Sequence, residues 1–169
     1  MSRLNVSDEF KESIERLIGP MRGYALALTR SRSDADDLVQ EALLRAWRFR
    51  VSYKPGTNLK AWLFQILRNV HYTETRRRRT TVQDVDGRFA AELTEDGYQH
   101  WRLEYFEILQ AIQQLTPQLQ EAILLIFAGD FSYEDIAAIL DCPVGTAKSR
   151  VFRARRKLAE MIVDPTYSS

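Results

Sequence analysis

Apolar residues recur along the chain at spacings of three and four, and no stretch alternates apolar with polar at the two-residue period of a strand. The pattern predicts an all-α protein of two small helical domains joined by a flexible linker. An N-terminal helical bundle takes residues 1–79, the linker 80–100, and a C-terminal four-helix domain 101–169. The middle stretch holds Gly87, Gly97 and several acids with few periodic apolar positions, which marks a linker; Phe89, Ala90, Ala91 and Leu93 could form a short docking turn.

In the first block, residues 8–29 suit a helix or a helix pair. A break or kink is expected at Gly19-Pro20, because proline removes an amide donor and crowds the preceding turn. Ser33 is placed to cap a second helix with Asp36 in capping-box position, and Asp34, Asp36 and Asp37 complement its positive end. Ala35, Leu38, Val39, Ala42, Ala46 and Trp47 form its inward stripe. A turn at Tyr53-Lys54-Pro55-Gly56 leads to a third helix capped by Thr57 or Asn58, with Leu59, Trp62, Leu63, Ile66, Leu67 and Val70 toward the core.

The second block starts near Trp101, with Tyr105, Ile108, Leu109, Ile112 and Leu115 inward. Thr116-Pro117 reads as a cap followed by proline at the first helical position; Leu119, Ala122, Ile123 and Ile126 continue the core, and Gly129 fits a helix stop. Ser132 and Asp135 then match a capping box, with Phe131 and Ile136 as its hydrophobic staple. After a turn at Asp141-Cys142-Pro143-Val144, a last helix runs from about Gly145 to Ile162, with Ala147, Val151, Ala154, Leu158 and Ile162 inward.

Composition narrows the chemistry. One cysteine, Cys142, and two histidines, His71 and His100, give no disulfide and poor support for metal catalysis, so no metal or cofactor is expected. Cys142 reads as a small turn or core residue. No apolar run is long enough to span a bilayer and the first residues lack a signal-peptide core, so a cytoplasmic protein without membrane insertion is expected. The net charge is only +1, yet it is segregated. Arg76 to Arg79 and the segment Lys148 to Lys157 are basic, whereas Asp34, Asp36, Asp37, Glu41 and the stretch Asp84 to Asp96 are acidic, so separate partners can be served by separate surfaces.

A short capped helix, a turn and a basic helix form the pattern of a helix-turn-helix, whose second helix enters the DNA major groove. Lys148, Ser149, Phe152, Arg153 and Arg156 lie opposite its apolar face. Lys148, Ser149 and Arg153 are the candidates for base edges. Arg150, Arg155, Arg156 and Lys157 suit phosphates, and Thr146 with the first free amides can hold one more. Six basic residues with no acid among them would repel one another on a merely solvated face. The third helix carries Gln65, Arg68, Asn69, Tyr72 and Arg76 as one stripe, with Lys60 and the loop from Tyr53 to Asn58 at its start. Amides, a ring and cations together suit unstacked bases, although spacing alone fits an ordinary solvated face equally well. On the second helix Asp37, Gln40, Glu41, Arg45 and Arg48 face outward; Glu41 and Arg45 could simply pair, and spacing there favours a solvated face.

These segments resemble those of the extracytoplasmic-function (ECF) sigma factors of bacterial RNA polymerase. DADDLVQEALLRAW (Asp34 to Trp47) resembles the family's polymerase-binding helix, GTNLKAWLFQILRN (Gly56 to Asn69) its −10 recognition segment, and FSYEDIAAILDCPVGTAKSRVFRARRKL (Phe131 to Leu158) its −35 helix-turn-helix. The resemblance implies a non-catalytic subunit that joins core RNA polymerase (β′ clamp and β flap), reads promoter DNA and helps melt it. It implies that Asp37, Gln40, Glu41 and Arg45 meet the clamp. It implies that Asn69 with its neighbours and the loop from Tyr53 to Asn58 receive the melted −10 strand and a flipped base, and that Lys148, Ser149 and Arg153 read the −35 element. VQDVDGRFA (Val82 to Ala90) is similar to the alphaproteobacterial general-stress type, called EcfG, which would imply a NepR-like anti-sigma factor. Rival readings are a dimeric helix-turn-helix regulator, a sigma-like decoy that sequesters an anti-sigma factor, and, last, a recombinase with a DNA-binding tail.

Overall fold

A computed structural model describes residues 3–81 and 107–163 of the chain. Thr80 and Thr81 continue the third helix; the rest of the expected linker, the Val82 to Ala90 segment, Trp101 and Tyr105 lie outside the described residues. The described residues are helical and contain no strand, as the three-four periodicity predicts. Contacts divide the chain into two compact units, residues 1–83 and 84–169.

In the first unit α1 (Arg3–Thr29), α2 (Arg32–Arg48) and α3 (Leu59–Thr81) pack on one another, and a short 3-10 turn (Arg50–Ser52) follows α2. The break expected at Gly19-Pro20 is absent, and α1 runs through Pro20. Met21, Tyr24 and Ala25, on the turn just beyond, are buried, so tertiary packing offsets the backbone bond that proline removes. Arg30 ends α1 in the left-handed region at φ 58°, and α2 begins two residues later. The cap is therefore Ser31 rather than Ser33: its hydroxyl accepts from the Asp34 amide at 3.2 Å, while Ser33 is exposed inside the helix.

The core is formed by Leu38, Val39, Ala42 and Ala46 of α2 against Leu63, Phe64, Leu67 and Val70 of α3, with Tyr24 and Phe64 in ring contact at 5.4 Å. Phe64 lies outside the stripe expected for α3 yet is fully buried, whereas Trp47, part of the stripe expected for α2, is 45% exposed. One residue past Ala46, it is rotated about 100° out of the stripe, and the Arg50 guanidinium covers its ring at 4.6 Å. Before α3, Gly56 sits at φ 86°, the left-handed conformation that the Lys54-Pro55-Gly56-Thr57 turn requires. Asn58, one of the two expected caps, accepts the Ala61 amide through Oδ1 at 3.0 Å.

In the second unit α4 (107–113), α5 (Pro117–Ala128), α6 (Tyr133–Leu140) and α7 (Val144–Val163) follow in order. α5 and α6 pack on α7 around Ile123, Leu125, Ile136, Ile139, Val151 and Ala154. Pro117 stands at the start of α5 as expected, but Thr116 makes no side-chain cap. The Gln120 amide instead donates to the carbonyls of Gln113 and Leu115 at 2.9 and 2.8 Å, tying α5 to the end of α4. The Ser132–Asp135 capping box is present, and Phe131 and Ile136 are both buried, as a staple needs. Ile162 was expected inward and is 61% exposed, because no described element covers the stripe beyond Leu158.

Candidate nucleic-acid and polymerase interfaces

Asp141 ends α6 in the left-handed region at φ 50°, the Cys142 amide donates back to the Ala137 carbonyl at 3.0 Å, and α7 starts at Val144. Short polar side chains tolerate that backbone conformation, so the turn is tight and fixes α7 against α6. Ala147, Val151 and Ala154 anchor one side of α7, leaving Lys148, Phe152, Arg153 and Arg156 exposed on the other. Ser149 and Arg150 are half-buried at the flanks. Arg153 donates to the Ser149 hydroxyl through Nε at 3.2 Å and Nη2 at 2.8 Å, so the two side chains form a unit. The Lys148 ammonium stands 5.7 Å from the centre of the Tyr133 ring, Arg156 pairs with Glu160 at 3.0 Å, and Phe152 is 67% exposed. The Thr146 amide already donates to the Pro143 carbonyl at 2.9 Å, which leaves the Thr146 hydroxyl as its group for a phosphate.

On α3 the expected stripe divides. Arg68, Asn69, Tyr72 and Arg76 line an open groove of about 670 Å³ together with Thr73 and Arg77, which spacing alone did not single out. The Arg68 guanidinium lies 4.9 Å over the Tyr72 ring. Tyr53, Asn58, Lys60 and Gln65 do not line this groove. At 1.5 Å per residue, Asn58 stands about 16 Å along the helix axis from Asn69, well outside the lining of the groove. Tyr53 packs its ring against Phe10 and Trp62 at 5.7 and 5.3 Å and donates its hydroxyl to the Thr57 carbonyl at 2.8 Å, which fixes the loop that leads into α3.

Asp37, Gln40, Glu41 and Arg45 share one face of α2, where Asp37 and Gln40 are exposed and Glu41 pairs with Arg45 at 2.7 Å. Leu44 is exposed on that same face, and Trp47, Phe49 and Val51 continue an apolar exposed end that the periodicity reading missed. Leu44 stands three and four residues from Glu41 and Gln40, a spacing that could have marked it as part of the outer face. Beside the groove, burial first and then the nearby Arg78 charge push the His71 pKa down. The Asp34 hydrogen bond, and after it the Asp34 charge, raise that of Arg78. Among the described residues no cluster of potential ligands could hold a metal ion, and no helix is long and apolar enough to cross a membrane.

Comparison with known families matches residues 14–81 to sigma-70 region 2 and residues 105–158 to sigma-70 region 4. The chain is 44% identical, over 93% of its length and 87% of the relative's, to the ECF RNA polymerase sigma factor EcfG of Rhodopseudomonas palustris. The chain belongs to the ECF sigma factors. The ECF sigma-E factor of Escherichia coli K12 is 36% identical over 74% of this chain and 72% of its own. Among solved structures, the sigma factor RpoE of Bartonella quintana, crystallised with the anti-sigma factor NepR, is 43% identical, with a TM-score of 0.78 over 92% of this chain and 98% of that one. CnrH, solved with the cytosolic domain of CnrY, shares the fold at 24% identity, with a TM-score of 0.71 over 96% of this chain and 91% of its own. This protein is thus an alternative sigma factor, with α1 to α3 in region 2 and α4 to α7 in region 4.

Proposed function

We propose that this sigma factor brings core RNA polymerase to promoters of stress-response genes and opens them, acting as a subunit without catalysis of its own. The reading rests on one observation: a single chain carries both an exposed basic recognition helix and an exposed groove of guanidinium, amide and aromatic groups. Residues 1–79, with α3 continuing to Thr81, form the polymerase-binding and −10 module, the rest of 80–100 the linker and 101–169 the −35 module. Asp37, Gln40, Glu41 and Arg45 dock on the β′ clamp. Arg68, Asn69, Tyr72 and Arg76 receive the unpaired −10 strand, with Tyr53, Asn58, Lys60 and Gln65 toward the other end of α3. Lys148, Ser149 and Arg153 read −35 base edges, while Thr146, Arg150, Phe152 and Arg156 complete the contact. The likeness to EcfG and to a NepR-bound sigma factor supports control by a NepR-like anti-sigma factor in the cytoplasm. The exposed polar face of α7 weighs against a decoy, which would have no use for a base-reading helix.

Run-off transcription with purified core polymerase over a randomised promoter library tests this. The expected result is initiation at templates sharing two spaced elements, and a Glu41→Lys variant that stays folded but no longer pulls down core enzyme. Protection of a palindromic operator by the chain alone, with no initiation, would instead indicate a dimeric regulator.

A further inference from the structure

The four arginines Arg76 to Arg79 look like one basic patch in sequence, but successive residues on a helix are turned by about 100°, so they sweep most of its circumference. Arg76 and Arg77 line the groove on α3. Arg78 turns the other way, toward α2. Its Nη1 and Nη2 each donate to one oxygen of Asp34 at 3.4 Å, a parallel fork joining residues 44 apart in sequence. Asp34 lies in the first turn of α2, three residues before Asp37, and Arg78 also feels the charges of Glu74 and Asp37. A second ion pair, Arg22 to Asp36 at 3.4 Å, ties α1 to the same end of α2. The start of α2 is therefore the point at which both neighbouring helices are held by charge.

We propose that Asp34 withholds Arg78 from nucleic acid, so that Arg78 is a positioning residue joining the end of α3 to the polymerase-facing helix while Arg76 and Arg77 hold the strand. The inference rests on the assignment of the α3 groove to the −10 strand. Arg78 is largely solvent-accessible and Asp34 about one-third so, which keeps the pair's contribution to stability small. Its consequence is geometric: it decides how many cations of the run neutralise phosphates, and it links the strand-binding groove to the helix proposed to dock on the clamp.

Counting phosphates tests this. The holoenzyme's affinity for promoter DNA with a pre-melted −10 region is measured against salt concentration for single-residue variants. Each lost phosphate contact lowers the slope of log affinity against log salt by about 0.7–0.9. Arg76→Ala and Arg77→Ala each lower it by that amount, whereas Arg78→Ala leaves it unchanged. Asp34→Asn raises it by a similar amount, because the released Arg78 reaches the backbone, and the rise vanishes in Asp34→Asn combined with Arg78→Ala. The proposal is overturned if Arg78→Ala lowers the slope as much as Arg76→Ala does, or if Asp34→Asn leaves it unchanged. A slope indifferent to Arg76, Arg77 and Arg78 alike would remove the groove assignment, and the proposal with it.

Discussion

The faces proposed to bind nucleic acid in the two units are built from similar residues in different ways. On α7 the cations stand on an exposed convex face, and Arg153 is steadied by its neighbour Ser149 one turn away. On α3 the cations curve around a groove, with Arg68 stacked on Tyr72. A convex face with oriented forks fits the edges of paired bases in a major groove, whereas an open groove with a ring fits bases already out of the stack. Residue type alone does not distinguish the two faces; what differs is the shape of the surface that carries the residues, and the proposed division between paired and unpaired DNA rests on that difference.

Substitutions can break this contrast, starting with the supports. Phe64, fully buried beneath the α3 groove's helix, should cost about 3–5 kcal/mol when cut to alanine. Urea unfolding should show the first unit lost while duplex −35 binding by the second persists. Arg153→Ala should lose about 1–3 kcal/mol of discrimination at one −35 base pair, measured across promoter variants. Equal losses at every base would mean a phosphate contact. Since Ser149 orients Arg153, Ser149→Ala should weaken preference at that same base pair and add little to Arg153→Ala. Removing the capping box with Ser132→Ala should cost about 1 kcal/mol by thermal unfolding, through α6 and the seating of α7 on it.

The smallest effect concerns pH. Burial and Arg78 hold the His71 pKa below its usual value of about 6.5, so the unfolded chain binds the proton more readily than the folded one. The first unit should then lose stability as pH falls from about 6.5 toward the lower folded value. His71→Gln should flatten that loss in a series of melting curves.

Much of this was legible in advance where one helix contains the whole signal. The Ser132–Asp135 box, the turn after Leu140 and the inward stripe of α7 as far as Leu158 follow from local spacing. What escaped depended on contacts between helices. Trp47 sits next to the stripe and not in it, and Pro20 is tolerated because the turn after it is buried. Arg78 looks like its three neighbours until Asp34 is brought beside it by the packing of α2 on α3. The division of the residues proposed for the −10 strand into a groove and a loop end likewise depends on helix length, since the stripe extends beyond the pocket.

The contrast between the faces is tested most directly by competing short single-stranded −10 oligonucleotides against the holoenzyme carrying either Tyr72→Ala or Arg153→Ala. The expected outcome is that Tyr72→Ala weakens single-strand binding by about 1–3 kcal/mol per stacked base and that Arg153→Ala leaves it untouched. Equal weakening by both variants would show that the two units do not divide unpaired from paired DNA.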